Sequence, residues 1–96
     1  MFSNKEKKML GGSYFTVIRE EDRFIEVMSR CTKHCWMIFR KVSATDKPLV
    51  LYHKHTADTK YYHKQWESWT VAKLIECIKT HDAYVLECKK GETNGI

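Results

Sequence analysis

Three of the chain's five histidines, His53, His55 and His63, fall in the stretch LYHKHTADTKYYHKQWESW between Leu51 and Trp69. Imidazole is the side chain whose unperturbed proton equilibrium lies close to neutral pH, so it serves as a metal ligand or as a carrier of protons. His53 and His55 sit two apart in a segment of strand composition, which points both rings to one face, roughly 7 Å apart along the backbone. Such a pair can share one ion if a third ligand joins it. His63, across the turn TADT, is the candidate, and zinc is the ion expected of an all-imidazole set. Paired histidines on a solvated strand more often hold no ion, because short motifs match by chance. The expectation is therefore no cofactor, with zinc at His53, His55 and His63 as the alternative.

The same stretch alternates planar rings with cationic tips. Tyr61, Tyr62 and Trp66 stand among Lys54, Lys60 and Lys64, and Arg40 and Lys41 add charge from an earlier segment. Exposed rings on a sheet can stack on unpaired bases while lysine and arginine meet phosphates, the arrangement of single-strand binders. Tyrosine and tryptophan are also favoured strand residues, and Trp66 or Trp69 could instead seal a junction between sheet and helix. The formal charge of +5 suits a polyanionic partner without identifying one.

Two other constellations compete. CTKHC, Cys31 to Cys35, brings two thiols and His34 to one connection, but its spacing departs from a zinc knuckle and no second pair matches it. In a reducing compartment these thiols, with Cys77 and Cys88, read as small apolar residues. Metal-free RNA cleavage would need one group to take a proton and another to give one; His53, His55 and His63 beside Lys54 or Lys64 supply the residue types. No carboxylate pair, P-loop or RNP-like aromatic signature accompanies them, so no catalytic residue is assigned.

The elements that must position these groups follow from pattern. Ninety-six residues fit one domain. Residues 1 to 12 read as a flexible leader closed by Gly11 and Gly12, residues 13 to 90 as the globular unit, and residues 91 to 96 as a flexible tail. Tyr14 to Glu20 and Arg23 to Cys31 form a hairpin through Glu21 and Asp22. Cys35 to Val42 extends the meander, Leu49 to His55 supplies a fourth strand after the turn SATDKP, and Lys60 to Glu67 a fifth. From Ser68 the period changes: Val71, Leu74, Ile75 and Ile78 fall at i, i+3, i+4 and i+7, the stripe of an amphipathic helix ending near His81. AYVLECK then reads as a last strand.

These readings combine into an α+β fold: a single-layer antiparallel sheet of five to six meandering strands, one face packed by a single helix over about Ser68 to His81, in the order β-β-β-β-β-α-β. With no signal-like segment and no apolar run near the roughly 18 residues of a membrane span, the expected setting is cytoplasmic and away from membranes. The expected role is a non-enzymatic binding or regulatory module with nucleic acid as its ligand class. The alternatives are a protein-interaction module, including self-association, and a small histidine-dependent ribonuclease. A one-residue slip in register would exchange His53 and His55 with Tyr52 and Lys54 between the covered and open faces.

Overall fold

The computed structural model describes residues 2 to 42 and 46 to 94, with side chains to Cys88. Five strands, β1 (Phe15–Glu20), β2 (Phe24–Ser29), β3 (Cys35–Arg40), β4 (Leu49–Lys54) and β5 (His63–Ser68), make one sheet in the order β1-β2-β3-β4-β5. Every neighbouring pair is antiparallel, as the meander requires. Helix α1 (Asn4–Leu10) precedes the sheet and α2 (Val71–Asn94) follows it.

The segment expected as a leader carries α1. Ser3 caps it: its Oγ accepts from the Glu6 backbone N–H at 3.1 Å while its own N–H donates to Glu6 Oε1 at 2.8 Å. This reciprocal capping box satisfies two of the four donors that a helix start leaves open. Phe2 and Leu10 are buried, and Glu6 pairs with Arg40 at 2.7 Å, so the helix is tied to the sheet by apolar and ionic contacts.

The expected final strand is a correction. The run from Ala83 to Lys89 continues α2, because no glycine or proline interrupts the chain from Val71 until Gly91 and Ala83, Leu86, Glu87 and Lys89 are good helix formers. The β-like look of AYVLEC is overridden by propagation of a helix already nucleated and packed upstream. Thr70 opens that helix, its Oγ1 accepting from the Lys73 N–H at 3.2 Å. Of the expected tail, residues 91 to 94 belong to α2, and residues 95 and 96 lie outside the described ones.

The core lies between one sheet face and the two helices. Phe15, Ile25, Val27, Trp36, Ile38, Leu49 and Leu51 point toward Leu10 of α1 and Val71, Leu74 and Ile78 of α2. Trp36 is fully buried and its indole N–H donates to Ser29 Oγ at 3.0 Å, so the largest core side chain leaves no polar atom unpaid. No helix among the described residues is long and apolar enough to cross a membrane.

Candidate metal centre

The register decides which face His53 takes. It lies opposite Trp36 on one side and His63 on the other, so all three side chains share the helix-covered face. Tyr52 and Lys54 therefore take the open face, together with Met37 and Cys35 opposite them. The pairing of His53 with His63 depends on an irregularity in β5. Leu51 pairs with Trp66 and Tyr52 with Lys64, which leaves Gln65 as an extra residue in the ladder. Were Gln65 paired in regular register with Tyr52 instead, Lys64 would face His53.

His34 arrives from the connection between β2 and β3. Lys33 has a positive φ of 66°, a left-handed turn that is costly for a residue with a Cβ, by roughly 1–2 kcal/mol. Hydrogen bonds hold it there: the Lys33 N–H donates to Ser29 O at 2.8 Å, and the Ser29 N–H to His34 O at 3.0 Å. The Thr32 hydroxyl accepts from the His34 N–H at 3.2 Å and donates to Asp82 Oδ1 at 2.9 Å. Asp82, buried on α2, also accepts from the Tyr14 hydroxyl at 2.6 Å. One carboxylate thus docks the turn bearing His34 against the helix turn bearing His81. Burial, reinforced by that bond to Asp82, pushes the Tyr14 phenol well above its ordinary value and keeps it a donor.

All five histidines converge here. The rings of His34, His55, His63 and His81 lie 5.0, 5.1, 5.4 and 4.6 Å from that of His53, and Trp36 stacks on His53 at 4.1 Å. His53 is 1% exposed and His34 9%. One potential ligand atom from each of His34, His53 and His81 falls within 4.8 Å of the others. His34 Nδ1 and His53 Nε2 are 2.9 Å apart and share one hydrogen. Zinc–nitrogen bonds of 2.0–2.1 Å in a tetrahedron place neighbouring nitrogens about 3.3 Å apart, so the rings must draw together from their present spread to hold an ion.

Electrostatics favour the ligand-competent form. Burial first, then the neighbouring His81, His34, His55 and His63, push the His53 imidazolium down to about 3 from its ordinary 6.5, so the ring is neutral at pH 7. Burial also lowers His81, partly opposed by the negative charge of Asp82. His81 Nδ1 is buried without a hydrogen-bond partner, an arrangement that costs free energy until something occupies it.

Comparison with protein-family models, curated proteins and solved structures finds no match to this chain. The site must be read from its own geometry.

Of the residues singled out in the sequence, His53, His55 and His63 do come together. His34 and His81 complete the cluster and stood outside that set. His34 carried a faint signal inside CTKHC; His81 carried none beyond being one of only five histidines. The two cysteines of CTKHC do not join it: Cys35 faces the open side opposite Lys54, Cys31 is exposed, and both are free thiols.

The basic and aromatic candidates divide between faces. Arg40 pairs with Glu6 and lies over the Phe2 ring. Lys41 and Lys64 both pair with Glu67. Lys54 sits over the Tyr62 ring at 4.7 Å, and the Tyr62 hydroxyl is held by Glu26. Lys60 sits over the Tyr61 ring at 5.4 Å. Trp66 belongs to the helix side, where it and Tyr84 wall a groove of about 530 Å³ that reaches His81. Lys54 and Lys64 lie across the sheet from His53, so the acid–base pairing considered for RNA cleavage is not assembled there.

Proposed function

We propose that this protein is a small metal-binding domain in which His34, His53 and His81 capture a divalent transition metal, zinc in the first instance. The observation that carries the reading is the convergence of three imidazole nitrogens within 4.8 Å at the buried end of the sheet, one histidine coming from a turn, one from a strand and one from a helix. Two supports are independent of that distance. His53 is neutral at pH 7, the form that binds metal. The orphaned Nδ1 of His81 gains a partner if its ring is turned or metallated. Imidazole suits zinc, copper and nickel, and the set contains no thiolate to select a softer ion. Bound metal would join three elements distant in sequence, and its binding free energy would add to the folding free energy.

Equilibrium dialysis against zinc, followed by thermal unfolding, tests this. One zinc per chain is expected. At a free zinc concentration a hundredfold above Kd the gain is about 2.7 kcal/mol, which for a domain of this size raises Tm by about 10–20 °C. His81→Ala, on the groove side of α2, should abolish both effects. Absence of bound zinc at micromolar concentrations, with Tm unchanged, would overturn the proposal.

Binding of single-stranded nucleic acid is a second reading. It is supported by the exposed ring of Tyr61, 72% accessible, and by Lys54 and Lys60, which make cation–π contacts rather than ion pairs among the described residues. Quenching of tryptophan emission by single-stranded RNA that weakens as salt rises would support it, and no quenching at low salt would remove it.

A further inference from the structure

The three clustered nitrogens leave one position of a tetrahedral ion unfilled, and the identity of the fourth ligand determines whether the centre is open to substrate or closed. We infer that His55 supplies it, so that the loaded site is a closed four-imidazole centre; this rests on the metal reading above. His55 lies next to two members of the triad, His34 and His53. Its ring stacks on His34 at 5.1 Å with planes 21° apart and lies 5.1 Å from that of His53.

Its place in the chain lets it move. His55 follows the last residue of β4, is exposed, and begins the loop that runs to β5, so its side chain can swing inward without disturbing the ladder. The loop beyond is held by its own contacts: Thr56 and Thr59 bond through their hydroxyls at 2.9 Å, and the Thr59 N–H donates to Thr56 O and Oγ1, each at 3.2 Å. His63 is the natural comparison. It is also exposed, but it meets His53 edge-on at 5.4 Å and stands farther from His55, at 6.4 Å. Four neutral imidazoles leave the ion's two positive charges uncompensated, and the buried carboxylate of Asp82, adjacent to His81, offsets part of them. Closing His55 over the ion excludes water from the fourth position, which suits retention or sensing of the metal rather than hydrolysis.

Cobalt(II), whose visible absorption reports coordination, is the probe, titrated into wild type, His55→Ala and His63→Ala. Wild type should give a tetrahedral spectrum that is invariant between pH 7 and 9, both limits being about the range in which a metal-bound water would ionise. His55→Ala should bind more than about tenfold more weakly, a loss at the lower end of what outer-shell partners alone produce, and its spectrum should become pH-dependent as water takes the vacated position. His63→Ala should match wild type. Equal affinity of His55→Ala and wild type, or a pH-dependent wild-type spectrum, would overturn the assignment while leaving the three-histidine site standing. If neither wild type nor the variants bind cobalt or zinc, the metal reading itself falls, and this one with it.

Discussion

At the scale of single residues, the chemistry of the site is set by what burial does to His53. Its imidazolium is disfavoured first by desolvation and then by four neighbouring imidazoles, so it titrates near 3 when folded and near 6.5 when unfolded. Between those values the unfolded chain binds the extra proton, and stability therefore rises with pH through that window. The contribution is complete above about pH 6.5 and is lost progressively as pH falls toward 3. Thermal unfolding followed from pH 7 to pH 4 should show Tm falling steadily; a His53→Phe variant that folds should show a shallower fall, since it has no proton to take up. A second residue acts by position. Asp82 holds Thr32 and Tyr14 through hydrogen bonds and so fixes the turn from which His34 projects. Asp82→Asn replaces one acceptor with a donor facing two hydroxyls, and should weaken zinc binding about tenfold or more, as outer-shell changes do, while His63→Ala does not.

At the scale of elements, β5 and α2 carry the arrangement. The extra residue at Gln65 puts His63 and Trp66 on the same face although three positions separate them, which strict alternation forbids. That single irregularity explains why the basic and aromatic stretch could not be read as one surface: Lys64 goes to the open face with Lys54, and Trp66 goes to the groove beside α2. Helix α2 is anchored by its first turns, where Val71, Leu74 and Ile78 are buried, and Tyr84, Leu86 and Cys88 beyond them are exposed. Its stability therefore depends on its start. Thr70→Ala removes the hydroxyl that accepts from the Lys73 N–H and should cost about 1 kcal/mol. Leu74→Ala, at a fully buried position facing the sheet, should cost about 2–5 kcal/mol. Chemical denaturation of the two variants checks both figures, and a smaller cost for Leu74→Ala than for Thr70→Ala would contradict the packing described.

At the scale of the whole molecule, the proposed metal site and the core meet at one contact that fluorescence can report. Trp36 is fully buried and stacks on His53 at 4.1 Å, whereas Trp66 and Trp69 are exposed. In a Trp66→Phe, Trp69→Phe protein the remaining emission should be blue-shifted and should be quenched by stoichiometric copper(II), a paramagnetic ion held within a few ångströms of the indole. Iodide, which meets only exposed rings, should leave that emission almost unchanged. Copper that binds without quenching Trp36 would place the ion elsewhere.

The meander of the first five strands, their order before the helix, and the apolar stripe of Val71, Leu74, Ile75 and Ile78 were legible in the sequence. These follow from side-chain periods of two and 3.6 and from turn chemistry, all of which act within a few residues. The sequence also brought His53, His55 and His63 forward as a group, because two of them share a strand and the third lies just across one loop. Tertiary structure alone decided that α2 runs on through Ala83 to Asn94, that the His53 face is the covered one, and that His34 and His81 belong to the same site. The physical reason is common to all three. A helix already packed overrides the β-like preference of its continuation, the covered face is chosen by burial across the whole sheet, and His34 and His81 meet only when a turn and a helix dock through Asp82.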